Sequence, residues 1–198
     1  MKYLLLGLVA WAAQPESYLY WIQPCAGEIA EQSGCEASDP ELAAWAVEAW
    51  QRAGEGRFTV SRTAEENKAR IRIYWVAGPA GMYGEARPIL VEGRPGAEVY
   101  VRPNLSQLGR EIDLAGRKDR LFRHAIVYLT CLHETGHALG LSHTAAFEDI
   151  MYYFGYGGDI VEYFARYRRK LASRADIRKT PGISPSDQAR LAARHQKP

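Results

Sequence analysis

Three histidines and a glutamate near the middle of the chain have the types and spacing of a metal site. His133 and His137 are four residues apart, so on a helix their imidazoles project from one face and can reach a single zinc ion. Glu134 follows the first histidine, where its carboxylate can take a proton from a water molecule and pass it to a leaving amine. His143 reaches the same metal if the chain turns sharply, and Gly140 permits the positive φ of such a turn.

Three protein ligands would leave the fourth position of a zinc ion open for water, which distinguishes a catalytic site from a closed structural one. Zinc lowers the pKa of such a water from about 16 to about 7, so a nucleophile is available at neutral pH. The alternative is an amphipathic helix with solvated surface histidines. The full five-residue pattern should arise by chance on the order of once in 10⁵ chains of this composition. The segment therefore predicts one catalytic zinc ion with Glu134 as general base and acid.

The pattern H-E-x-x-H-x-x-G-x-x-H over residues 133–143 resembles the signature of the metzincin clan of zinc peptidases. The clan also has a methionine turn downstream, and Met151 in the run Asp-Ile-Met-Tyr-Tyr fits it. The resemblance implies that Met151 forms a hydrophobic base beneath the zinc. Residues 137–143 and 183–187 look most like the matrixin subfamily. The resemblance thus implies a zinc-dependent endopeptidase.

Two positions depart from the matrixin pattern. Matrixins usually have Ser after the third histidine, where this chain has Thr144, and Pro two residues after the methionine, where it has Tyr153. Astacins and serralysins carry Tyr at the second place. The resemblance to them implies that Tyr153 ligates the zinc or donates a hydrogen bond to the tetrahedral intermediate. Its alternative role is that of an aromatic packed in the turn.

The helix that must carry the first two histidines is predicted over residues 118–139, where apolar residues recur at helical spacing until Gly140. A further helix is predicted over residues 159–173, inside a helical insertion at about 158–175. A last helix is predicted from Ser184. We interpret the basic residues of the insertion as a solvated face that could still shape the substrate pocket. These residues are Arg166, Arg168, Arg169 and Lys170.

Elements before the long helix complete the fold class. A first helix is predicted from Asp39, as N-cap, to a stop at Gly54. Alternation of apolar and polar residues predicts a strand over 70–75, and two further strands over 88–92 and 97–101 flank a turn. The order of these elements predicts an α+β fold.

The resemblance adds an arrangement to these elements. It implies that the first helix and the long helix pack against a mixed, twisted sheet. It also implies that residues 97–101 form an edge strand lining the cleft. There Val99, Tyr100 and Val101 would pair through their backbone with an extended peptide substrate.

Size and composition limit the classes of function. The 198 residues suit one domain, predicted over residues 14–198, with ordinary contents of hydrophobic (47%) and charged (24%) residues. The formal net charge of +2 is too small to indicate a nucleic-acid or membrane-surface partner. We expect a monomer that acts on a peptide or protein substrate.

The first thirteen residues resemble a secretory signal peptide, because a positive start precedes an apolar run and small residues near Ala12 and Ala13. The alternative for this run, which is too short to span a bilayer, is a buried first strand. A secreted or periplasmic location follows from the signal. In such a protein Cys25 and Cys35 are expected to form a disulfide. Cys131 is then left as a buried free thiol that faces away from the metal.

Two other functions remain compatible with the sequence. One is a zinc-containing binding module without catalysis, which Glu134 argues against because lost enzymes commonly lose the general base first. The other is a processing peptidase with one physiological partner, which shares the chemistry and differs in pocket shape. Latency through a capping Cys25 is a further alternative, although we favour the disulfide.

Overall fold

The computed structural model describes residues 15–78 and 83–196. The predicted signal peptide over residues 1–13 lies outside the described residues. In these ranges the chain forms five strands and seven α-helices. The strands are β1 (Glu16–Ile22), β2 (Phe58–Arg62), β3 (Ile71–Trp75), β4 (Gly84–Val91) and β5 (Arg94–Val101), and the helices are α1 (Gly27–Ser33), α2 (Asp39–Ala53), α3 (Arg110–Lys118), α4 (Arg120–Ala138), α5 (Ile160–Arg168), α6 (Asp176–Lys179) and α7 (Pro185–Arg194).

The five strands form one mixed sheet in the order β2-β1-β3-β5-β4. Neighbouring strands are parallel except β4, which runs antiparallel to β5 at the edge. Side chains alternate between the two faces, and those on the inner face pack against α2 and α4. The indole of Trp50 on α2 also donates a 2.8 Å hydrogen bond to the carbonyl oxygen of Leu132 on α4. The predicted α+β class is confirmed.

The prediction that residues 97–101 form an edge strand is wrong. These residues belong to β5, which lies between β3 and β4, and both Val99 and Val101 are fully buried. The turn that joins β4 to β5 is also tighter than predicted, because Glu92 and Gly93 both adopt positive φ and leave Arg94 free to begin β5. The hairpin therefore places β4 outside β5, so β4 is the edge strand on this side of the sheet and β2 is the edge strand on the other.

Several local boundaries differ from the sequence-based expectations. Asp39 is the first residue of α2, not its N-cap, and its buried carboxylate accepts hydrogen bonds from the backbone of Glu36 and from Arg123. The long helix begins at Arg120, because Asp119 caps it through the backbone N–H groups of the first turn. The sequence also gave no indication of α1, α3, β1 and β2.

A disulfide joins Cys25 and Cys35 on either side of α1, as predicted, and Cys131 is a buried free thiol. The bond is compatible with an extracellular protein. Within residues 15–78 and 83–196, none of the helices has the length and apolar character needed to cross a membrane.

Two of the four basic residues that were interpreted as a solvated face, Arg166 and Arg168 on α5, are half-buried, whereas Arg169 and Lys170 are exposed as predicted. Arg168 forms a 2.7 Å ion pair with Asp119, the cap of α4. The guanidinium of Arg166 lies over the rings of Phe147 and Tyr163, at 4.8 and 4.4 Å from their centroids. The ion pair holds α5 against the start of α4, and the contact with Phe147 holds it against the segment that follows the third histidine.

Candidate metal centre

The last two turns of α4 present the first two histidines with a fixed tautomer. The Nδ1 atom of His133 lies 2.7 Å from the carbonyl oxygen of Ile150, and that of His137 lies 2.8 Å from the carbonyl oxygen of Leu141. A carbonyl oxygen only accepts, so in each neutral ring Nδ1 carries the proton and Nε2 keeps its lone pair. Both rings are thus oriented as metal ligands commonly are.

His143 completes the cluster after a sharp reversal of the chain. Gly140 follows α4 with a φ of 88°, as its predicted role requires, and the backbone N–H of Leu141 donates to the carbonyl oxygen of Gly136. The turn brings the Nε2 atom of His143 to 3.3 Å from that of His133 and 3.1 Å from that of His137. The nitrogen atoms that the three rings offer lie within 4.8 Å of one another.

These three nitrogens fit a metal ion. Burial lowers the pKa of all three rings, to about 3 for His133, so they remain neutral at pH 7. The Nε2 lone pairs of His133 and His137 converge on the ring nitrogen of His143, and this arrangement favours a cation at the common focus. Neutral imidazoles in threes are ligands typical of zinc and related divalent metals, and such ligands commonly have the second ring nitrogen bonded to a carbonyl oxygen, as His133 and His137 do. His133, His137 and His143 could therefore bind one metal ion.

Met151 packs against α4 at Gly136, which lies between the first two histidines in the sequence. It is fully buried, and a Cβ atom added to Gly136 would lie 2.5 Å from its sulfur and 3.0 Å from the ring of Trp50. Only glycine therefore allows the methionine to approach the helix between the two ligands. The sequence indicated Met151 but not Gly136, because nothing local shows which side chain faces that glycine.

The turn that holds Met151 is fixed from two sides. Thr144 pairs with this turn through two backbone hydrogen bonds: its N–H donates to the oxygen of Met151, and its oxygen accepts from the N–H of Tyr153. The buried carboxylate of Asp187, at the start of α7, accepts a 2.7 Å hydrogen bond from the backbone N–H of Ile150. Since the carbonyl oxygen of Ile150 accepts a hydrogen bond from His133, Ile150 links α7 to the histidine cluster. The sequence-based reasoning did not assign this role to Asp187.

The side chain of Glu134, which belongs to α4, is buried against the edge strand β4. It is 7% exposed, and burial raises its pKa to about 8. A Cβ atom added to Gly84, the first residue of β4, would lie 2.5 Å from Cγ of Glu134 and 2.6 Å from its Oε1. A metal cation bound by the three histidines would lower the pKa of Glu134 and favour the ionised carboxylate that a general base needs. Gly84 is a second site residue that the sequence did not reveal.

Tyr153 stands at the mouth of the site and is 46% exposed. Its ring packs against that of His143 in a tilted arrangement, with centroids 4.8 Å apart, and meets Tyr156 edge to face at 5.4 Å. The predicted residue is therefore beside the cluster, packed on a ligand and still accessible to solvent. This position is compatible with each role considered for Tyr153: a zinc ligand, a hydrogen-bond donor to the tetrahedral intermediate, or a packed aromatic.

A cavity of about 400 Å³ adjoins the cluster and is lined by His133, Glu134, His137 and His143. The strand beside it is β4, which contributes Gly84, Glu85 and Ala86. The predicted cleft residues Val99, Tyr100 and Val101 do not line it, because β5 is one strand further from the edge. The edge strand that adjoins the cavity is therefore β4.

No protein-family model matches this sequence, and no curated protein is significantly similar to it.

Proposed function

We propose that this protein is a zinc-dependent endopeptidase of the metzincin type. The convergence of three neutral imidazoles on one point beside a buried carboxylate, in the lining of one cavity, carries the proposal. The signature and the methionine turn support zinc as the metal, since three imidazoles with an open position are typical of catalytic zinc. When bound, the ion supplies a Lewis acid and an acidified water molecule.

The chain's own residues then divide the work of peptide hydrolysis. Glu134 takes a proton from the attacking water and passes it to the departing amine, and its burial keeps bulk solvent away from that transfer. Tyr153 donates a hydrogen bond from its phenol to the substrate oxygen on which negative charge grows. The edge strand β4 aligns the peptide by backbone hydrogen bonds, in place of the strand predicted from the sequence.

Placement of the ligands relies on the elements around them. The packing of Met151 against Gly136 fixes the part of α4 that carries the first two histidines, and Gly140 turns the chain so that the third histidine reaches them. A site fixed by buried contacts of this kind loses little entropy when substrate binds. The disulfide supports a secreted or periplasmic location for the enzyme.

The test combines metal analysis with cleavage of an unstructured protein such as casein. Purification in the presence of zinc should yield about one zinc per chain, and a chelator should abolish both the zinc and the cleavage. His143→Ala should lower the zinc content, whereas His124→Ala, a histidine outside the cluster, should leave it unchanged. Full zinc content without cleavage of any denatured protein would reject the endopeptidase and leave the non-catalytic module or the single-partner processing enzyme.

A further inference from the structure

The C-terminal helix α7 lies against the segment that joins the second histidine of the cluster to the third. This segment reverses the chain after α4, so its carbonyl oxygens have no partner inside the helix. Within the part of the chain that the structure describes, no backbone N–H donates to the oxygens of Leu139 and Ser142. Their hydrogen bonds come from side chains instead.

Side chains in the second half of α7 and just after it bind both ends of this segment. Arg190 donates a 2.5 Å hydrogen bond from Nη2 to the carbonyl oxygen of Ser142. The Nε2 atom of His195 lies 3.1 Å from the carbonyl oxygen of Leu139. Between these contacts Arg194 covers the glycine that turns the chain, where an added Cβ atom would lie 2.6 Å from its Nε. The helix therefore packs along the whole turn.

Arg190 also pairs with a buried carboxylate on its own helix. Its Nη1 atom lies 3.5 Å from Oδ1 of Asp187, which is fully buried. Neither of these two atoms has a hydrogen-bond partner among the described residues. A buried carboxylate without a counter-charge is costly, so the ion pair is the contact that balances Asp187.

The same aspartate reaches the methionine turn with its other oxygen. Oδ2 of Asp187 accepts from the backbone N–H of Ile150, whose carbonyl oxygen orients His133. One ion pair thus joins the segment before His143 to the turn that orients the first ligand. The guanidinium makes both contacts at once because its N–H groups form a planar fork, whereas a lysine ammonium is a single point charge.

We propose that Arg190 is a positioning residue for the metal site, and that its ion pair with Asp187 keeps the third histidine in reach of the other two. The inference rests on the proposed function only in that the three histidines bind zinc. His143, unlike the other two, lies on a loop. Arg190 holds the residue before it, and Thr144 pairs with the methionine turn on the other side. Without Arg190 one side of the loop is released, and the ring of His143 leaves the common focus.

The first test compares the zinc affinities of folded variants by competition with a chelator of known affinity. Arg190→Ala should raise the Kd for zinc about 10–100-fold, as the loss of a contact behind a metal ligand commonly does. Arg123→Ala is the matched control, because it also removes an arginine from a fully buried aspartate, but at the start of α4, away from the histidines. Its Kd should stay within threefold of the wild-type value.

Two outcomes of this comparison distinguish the inference from the proposed function. Equal Kd values for the wild type and Arg190→Ala would overturn the inference and leave the proposed function intact. A wild-type protein that binds no zinc would reject both.

A spectroscopic test separates positioning from a loss of stability. With cobalt in place of zinc, the visible absorption reports the number and geometry of the ligands. At saturating cobalt the spectrum of Arg190→Ala should differ from that of the wild type, and the spectrum of Arg123→Ala should match it. Identical spectra in all three proteins would contradict a role of Arg190 in placing His143.

Two further variants test the fork and the coupling. Arg190→Lys keeps a positive charge beside Asp187 and should bind zinc about as weakly as the alanine variant. Recovery of the wild-type Kd would reduce the contact to charge balance and overturn the role of the bond to Ser142. Asp187→Asn keeps an acceptor for Ile150, and its combination with Arg190→Ala should bind zinc no more weakly than the weaker single variant. Additive losses would contradict the ion pair as the link.

Discussion

Replacing Gly84 by alanine tests the contact between the edge strand and the proposed general base. The new methyl carbon would lie 2.5 Å from Cγ of Glu134 and 2.8 Å from its Cδ. Ordinary contact between carbon atoms needs about 3.5 Å, so the carboxylate must recede by about 1 Å. A misplacement of this size at a reacting group can lower the rate about 100-fold, which corresponds to about 2.7 kcal/mol of transition-state free energy.

The assay compares kcat on a casein-derived peptide for the zinc-loaded wild type and Gly84→Ala. The atoms that must move lie at the end of the flexible Glu134 side chain, so we expect little change in the midpoint of thermal unfolding and none in zinc content. Gly116→Ala on α3 is the matched control, because its methyl group would crowd a flexible end of Leu105, far from the metal ligands, at 2.3 Å. Full activity in Gly84→Ala would refute the role of Glu134 or its contact with β4.

Further predictions concern the hydroxyl group of Tyr153, the buried ion pair of Arg123 with Asp39, and two histidines outside the cluster. Tyr153→Phe should lower kcat about 100-fold at unchanged zinc content, and a loss below twofold would reduce the tyrosine to a packed aromatic. Arg123→Ala removes two 2.8 Å hydrogen bonds from the fully buried carboxylate of Asp39 and should lower the free energy of urea unfolding by about 3–5 kcal/mol; a loss under 1 kcal/mol would contradict this. Burial lowers the pKa of His124 and His195 below the usual value of about 6.5, so the unfolded chain binds more protons there. The free energy of unfolding should therefore keep the full contribution of these two histidines above pH 6.5 and fall as the pH drops below that value. Replacing both histidines by glutamine should weaken this dependence on pH in urea titrations of the metal-free protein.

The convergence of the three histidines could be predicted because their geometry is local. A spacing of four residues on a helix fixes two rings on one face, and a glycine three residues later allows the turn to the third. The caps at Asp159 and Ser184 were predictable for the same reason, since each carboxylate or hydroxyl bonds to a backbone N–H within three residues. Features set within one turn of helix or one tight turn can be recognised from spacing alone.

The contacts that complete the site depend on residues distant in sequence. Gly84 meets Glu134 and Gly136 meets Met151 only after the sheet and the helices have packed. The edge position of β4 likewise follows from the pairing order of all five strands, which the pattern of one strand does not contain. The prediction that Tyr100 and its neighbours line the cleft was wrong for this reason.

The missed elements have weak patterns. In β2 only Phe58 is buried, so the strand shows no alternation of apolar and polar residues. In α3 only Ile112 is buried, and a helix of nine residues is short for recognition by its apolar spacing. In β1 apolar and aromatic side chains occur on both faces, including Trp21 on the outer one, which hides the alternation. Such segments are held in place by their neighbours in the fold and not by their own periodicity.

The most direct measurement of the central claim is the rate of casein cleavage by Glu134→Ala with its zinc content determined in the same sample. We predict about one zinc per chain, as in the wild type, because the ligands His133, His137 and His143 are unchanged. We also predict cleavage at least 1,000-fold slower, since a positioned general base typically contributes 10²–10⁴-fold. Cleavage at the wild-type rate with zinc retained would contradict the assignment of Glu134 as general base.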